Sequence, residues 1–97
     1  MSFRPPTHEE LTVPGKAYWY VFDRGAGRCP ELEPCIASHP CFAYCYASNI
    51  LNGRFPAGEA AIAKEAYYYS EYSQWLRNYF GYAVYEDFLL EYGDWQP

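Results

Sequence analysis

The sequence predicts a mostly helical α+β domain with one or two short strands, a short cysteine-bearing helix, a long central helix and a short C-terminal helix. Three observations lead there. Residues 57–79 repeat apolar side chains at helical spacing, residues 16–23 are dense in aromatic and β-branched side chains, and all four cysteines fall within residues 29–45. Ninety-seven residues suit one core, and 51% hydrophobic against 20% charged residues describe an ordered globular chain. Aromatic residues reach 22%, with twelve tyrosines, more rings than so small a core can bury, so some must face solvent.

In chain order, residues 1–15 carry Pro5, Pro6 and Pro14 and read as a loosely held arm with a short turn at residues 8–10. Lys16 to Asp23 reads as the best strand, bounded by Pro14-Gly15 and Gly25-Ala26-Gly27. Its partner would come from the N-terminal arm, the C-terminal tail or a second copy of the chain, which makes a homodimer one expected assembly. Residues 24–39 form a Gly- and Pro-rich loop. Pro40 opens a helix over residues 40–52, stopped by Gly53 as a left-handed cap. Pro56 opens the longest helix, residues 57–79, with Tyr68, Tyr72, Trp75, Leu76 and Tyr79 on its buried face. Tyr85, Phe88, Leu89 and Tyr92 then place a third helix over residues 84–92. No internal repeat and no linker is evident, so residues 1–97 read as one domain.

The cysteines follow a Cys-x5-Cys-x5-Cys-x3-Cys spacing. Cys29, Cys35, Cys41 and Cys45 could converge on a zinc ion, two thiols from the loop and two from one helix face. His39 could stand in for Cys29 in a rival set. Two disulfides, an iron–sulfur cluster and plain free thiols are the other readings. The N-terminus of the predicted helix should lower the pKa of Cys41 and Cys45. The opening residues have no apolar signal core and no apolar run approaches the ~20 residues of a membrane span. A complete chain would then be a soluble cytoplasmic protein, where zinc is favoured over disulfides.

The net charge is −5, and no basic residue follows Arg77. Direct binding to nucleic acid or to an anionic membrane is therefore not expected. Catalytic signals are thin. Cys41 and His39 are separated only by Pro40, and the adjacent Glu86 and Asp87 cannot face each other on a helix. The expected function is thus a non-enzymatic, acidic, protein-binding one. One form is an inhibitor that occludes a basic nucleic-acid-binding surface, in the manner of phage counter-defence proteins. Tyr67, Tyr85, Glu86, Asp87, Glu91, Asp94 and Trp95 are the expected partner-binding residues. The alternative is a zinc- or thiol-dependent factor whose cysteine cluster is the working site.

Overall fold

The computed structural model describes residues 4–92, and among these every regular element is a helix. The order is α1 His8–Thr12, α2 Pro14–Arg24, a 3₁₀ turn Pro30–Leu32, α3 Glu33–Ala37, α4 Pro40–Tyr46 with a π-helical extension Ala47–Leu51, α5 Pro56–Ala63, α6 Ala66–Phe80 and α7 Tyr82–Tyr92. The expected α+β class is therefore overturned: the described residues contain no strand.

Prolines set most of these starts. Pro14, Pro40 and Pro56 sit in the first turns of α2, α4 and α5, where a missing N–H costs nothing. The residues before them, Val13, His39 and Phe55, are extended or nearly so, as the proline ring requires. The supposed strand at residues 16–23 lies inside α2. Ala17, Tyr18, Tyr20 and Val21 are buried while Trp19 and Phe22 are exposed, a helical and not an alternating pattern. Packing has overridden the β preference of its rings. Gly25, at φ 66°, is the left-handed cap that ends α2.

The supposed arm is also ordered. Thr7 and Glu10 form a reciprocal capping box on α1, and Arg4 grips Glu10 through two hydrogen bonds of 2.6 Å. The helix expected over residues 57–79 is broken. Lys64 ends α5, and Glu65 turns to an extended conformation (φ −112°, ψ 113°) before α6 begins. The break folds α6 back, so that Ile62 from α5 and both Tyr72 and Leu76 from α6 enter one core. Tyr68 and Trp75 are partly buried, whereas Tyr79 is 75% exposed and not the core residue expected. α4 ends on Asn52 in the left-handed region (φ 53°) and not on Gly53.

These elements expose an internal repeat that the sequence reading missed. Arg28, Pro30, Glu33, Ile36, Ala37 and Tyr46 recur 26 positions later as Arg54, Pro56, Glu59, Ile62, Ala63 and Tyr72. Each set builds the same network. Arg28 Nε and Nη2 donate to Glu33 at 2.8 and 3.1 Å, and Arg54 Nε and Nη2 donate to Glu59 at 2.8 and 2.6 Å. The Tyr46 hydroxyl donates to Glu33 (2.6 Å) and accepts from the backbone N–H of Cys29 (2.9 Å). The Tyr72 hydroxyl donates to Glu59 (2.7 Å) and accepts from Phe55 N–H (3.0 Å). A diverged first copy keeps Pro14, Ala17 and Tyr20 at the positions of Pro40, Ala43 and Tyr46. There the Tyr20 hydroxyl donates to the Arg4 carbonyl. The three helix-to-helix corners match as well: Val13, His39 and Glu65 take φ/ψ of −108/112°, −124/122° and −112/113°.

The fold is a short array of helix pairs, α1–α2, α3–α4 and α5–α6, with α7 packed on α6. The body is elongated, 41 × 25 × 17 Å, as stacked repeats are. Neighbouring pairs approach closely. A Cβ on Gly58 would lie 2.7 Å from the Ala43 Cβ, so only glycine lets α5 rest on α4 at that point.

The two networks are not equally buried. Glu59 is fully buried and Arg54 largely so, whereas the Arg28 side chain is 62% exposed. Arg54→Met should therefore cost about 3–5 kcal/mol in a urea unfolding curve, because Glu59 is left as an unpaired buried charge. Tyr72→Phe should cost about 1–3 kcal/mol through the Phe55 N–H it orphans. Arg28→Met should cost less than Arg54→Met. A larger loss at Arg28 would overturn this ranking.

The capping box makes a pH prediction. The Arg4 hydrogen bonds, followed by that from the Thr7 backbone, pull the Glu10 carboxyl down to about 2. A group lowered in the folded state stabilises fully above its unfolded value, roughly pH 4, and loses that effect as pH falls through the folded one. Side-chain NMR should show Glu10 titrating near pH 2, with the α1 amide signals shifting over the same range. Titration of Glu10 near pH 4 would mean the clasp is absent.

Candidate functional site

The structure distributes the predicted metal set instead of gathering it. Cys29 is buried at the start of the 3₁₀ turn, Cys35 lies on α3, and Cys41 and Cys45 stand one turn apart on α4. All four are free thiols, and among the described residues no three His, Cys, Asp or Glu side chains are grouped to hold a metal. Cys41 neighbours the Tyr68 hydroxyl and Cys45. The Cys41 contact, with burial, pushes Tyr68 up to about 12. Burial first, then Cys41, raises the Cys45 thiol, and burial alone raises Cys35. The lowered thiol expected for Cys45 at a helix start is thus reversed. α4 supplies the start, but Cys45 lies beyond its first turn, where the dipole has faded and desolvation prevails. His39 faces Phe42, their rings 5.2 Å apart.

The predicted partner-binding residues fall on two elements. Tyr67 begins α6 and is 65% exposed, packed edge-on against Tyr68. Tyr85, Glu86, Asp87 and Glu91 lie on α7. Glu86 and Asp87 are exposed, in line with Tyr82 (62%) and Leu90 (83%) one helical turn to either side of Glu86. Tyr85 is half-buried, with the Arg77 guanidinium 5.7 Å over its ring. Glu91 has a structural role: it accepts from Arg54 Nη2 at 3.0 Å and ties α7 to the Arg54–Glu59–Tyr72 network. Asp94 and Trp95 lie outside the described residues.

Sequence reasoning missed Tyr79, Phe80, Tyr82 and Leu90, all exposed around the α6–α7 corner. The signal for Tyr82, Glu86 and Leu90 was present as an i, i+4, i+8 line, hidden because the apolar line through Tyr85, Phe88 and Tyr92 drew the reading. It also missed how charge is sorted. Of seven Lys and Arg residues, Arg4, Lys16, Arg28 and Arg54 are engaged by Glu10, Glu9, Glu33, Glu59 and Glu91. Asp23, Glu31, Glu65, Glu71, Glu86 and Asp87 have no ion-pair partner among the described residues. The fold therefore turns most of its cations toward its own acids and leaves the surplus carboxylates facing solvent. No helix among the described residues is long and apolar enough to cross a membrane.

Burial orders the thiols by reactivity. With a disulfide reagent, the native protein should expose Cys41 and Cys45 to attack before Cys29, which is 6% exposed and should react at the unfolding rate. Elemental analysis of the same sample tests the zinc expectation. One zinc per chain with all four thiols protected would mean that the loops rearrange around metal. No protein-family model matches this chain, and no curated protein and no solved structure does either.

Proposed function

We propose that the protein is a non-enzymatic interaction module: a short helical-repeat array that binds the basic surface of another protein. The sorting of charge carries this reading. Structural ion pairs absorb four of the seven cations, while Glu86 and Asp87 stand uncovered beside the exposed Tyr82 and Leu90. Exposed rings and an apolar side chain amid acids suit a partner that carries Lys and Arg around an apolar patch. Repeat arrays commonly work this way, offering an extended surface and no enclosed catalytic pocket. Covering a nucleic-acid-binding surface of the partner is the concrete form, and the protein's own charge argues against direct nucleic-acid contact. A cytoplasmic setting, which keeps thiols reduced, goes with this reading. A metal-free thiol chemistry has less support, since burial raises the Cys45 and Cys35 thiols away from the thiolate that a nucleophile needs.

The test is kinetic. Wild-type protein and the Glu86→Lys/Asp87→Lys variant are used as baits in lysate, the captured partner is purified, and association is followed against salt. Both side chains are exposed and unpaired, so the variant should keep its helical circular dichroism. The double reversal should slow association about ten-fold or more and flatten its salt dependence. Leu90→Ala should mainly raise the off-rate. Wild-type association by the charge-reversed variant would end this reading.

A further inference from the structure

We propose that the cleft between α4 and α6 is a receptor for one cationic group, an alkylammonium or guanidinium side chain. This deepens the reading of a basic partner and rests on it for the source of the cation. The cleft, about 260 Å³, is lined by Tyr44, Glu71, Gln74, Trp75, Asn78 and Tyr79. Tyr44, Trp75 and Tyr79 border this space together with one carboxylate, Glu71, and the proposed guest is held by ring surface and a negative charge that attract the same cation. Tyr44 and Trp75 stand edge to face, centroids 6.1 Å apart at 72°, which fixes two walls at an angle. Tyr79 is 75% exposed and has no ring partner among the described residues, leaving its face available as a third wall. Glu71 has no ion pair among the described residues. Its charge acts on this site: the Tyr44 hydroxyl is pushed up by burial first and by Glu71 next. Gln74 and Asn78 add amide oxygens that can accept from an N–H of the guest.

The array contains its own control. The equivalent junction one repeat earlier lies between α2 and α4. Stepping back 26 positions replaces Glu71 by Cys45, Trp75 by Asn49 and Tyr79 by Gly53, while Tyr44 becomes Tyr18. At that junction Asn49 Nδ2 donates to the Tyr18 hydroxyl at 2.9 Å. The match is one of sequence register, since residues 47–51 are π-helical and Gly53 lies past the end of that helix, whereas Trp75 and Tyr79 lie within α6. Where the α2–α4 junction has an Asn–Tyr hydrogen bond, the α4–α6 junction carries two rings and a carboxylate without an ion pair among the described residues. Packing accounts for Trp75, whose ring meets Tyr72 at 5.8 Å and Phe80 at 5.1 Å, but not for Tyr79, which is mostly in solvent, nor for Glu71, which meets no cation among the described residues.

Choline and its neutral isostere 3,3-dimethylbutan-1-ol separate cation recognition from plain apolar binding, and N-acetyl amides of lysine and arginine extend the test to protein side chains. Trp75 fluorescence, taken as the difference between wild type and Trp75→Phe, and the ring NMR signals of Tyr44 and Tyr79 report occupancy. Saturable choline binding in the millimolar range is expected, about ten-fold tighter than the neutral isostere. Glu71→Gln and Tyr79→Leu alter solvent-facing groups and should leave the helical signal intact. Each should weaken choline several-fold, and Glu71→Gln should leave the neutral isostere unchanged. Equal binding of choline and the isostere, no binding of choline, or indifference of choline to both substitutions would overturn the cage. A cage that binds choline, in a protein whose partner association ignores the Glu86/Asp87 reversal, would separate the two proposals and sink only the broader one.

Discussion

A tyrosine hydroxyl holding a backbone N–H and a buried carboxylate together is the constraint on which the array depends. The corner before each Pro-led first helix forces Cys29 and Phe55 out of helical geometry, so their N–H groups have no helical acceptor. Tyr46 and Tyr72 supply one from the second helix of the same pair. A buried hydroxyl that accepts in this way must also donate, and Glu33 and Glu59 receive it. A carboxylate buried like Glu59 then requires a cation, which Arg54 brings with two hydrogen bonds. Each residue of the set is thus the answer to a polar group stranded by the one before it. This explains why the set recurs whole while most other positions in the pair have changed.

Such a network specifies geometry more than it adds stability. Desolvating an ion pair offsets much of its attraction, and an apolar replacement of equal volume can be as stable. What the network supplies is register. Tyr72 meets Phe55 and Glu59 in only one arrangement of α5 against α6, and Arg54 extends that arrangement to α7 through Glu91. The surface charge follows from the same arrangement. Because the arginines of the repeats serve buried or half-buried carboxylates, acids elsewhere on the chain have few cations left to meet.

The legible part of the fold was its punctuation. Pro40 and Pro56 marked true helix starts, and the spacing of Tyr85, Phe88 and Tyr92 placed α7 to within two residues of its observed start. The rest failed for identifiable reasons. Residues 16–23 carry rings with high β propensity, yet the exposed Trp19 and Phe22 and the buried Tyr18 and Val21 sort only on a helical wheel. The break at Lys64–Glu65 has neither Gly nor Pro. Its match to Ser38–His39 becomes visible only once Arg28 is aligned with Arg54. That alignment was available in the sequence, but the clustered cysteines drew attention to thiol chemistry, and just one of the four, Cys29, takes part in a repeated network, through its backbone. At the candidate site, Glu86 and Asp87 were legible as exposed acids because charge seldom buries. The ion pair of Glu91 was not legible, because its partner Arg54 lies 37 residues away in sequence and nothing local reveals the pairing.

Duplication also explains where a binding function could arise without loss of the fold. In an array, each pair is stabilised by its own closure and by its immediate neighbours, so a residue outside the Arg–Glu–Tyr set can change with only local consequences. Positions 45 and 71, 49 and 75, and 53 and 79 are such residues. They face the groove between second helices, and in the α2–α4 groove they hold a cysteine, an asparagine tied to Tyr18, and a glycine. In the α4–α6 groove Glu71, Trp75 and Tyr79 stand on a continuous α-helix, entered by the same corner geometry at Glu65 as at His39, although residues 47–51 are π-helical and Gly53 lies beyond that helix. Trp75 also packs on the core beside Tyr72, so Glu71 and Tyr79 are the positions of this groove that can change at least cost to the fold.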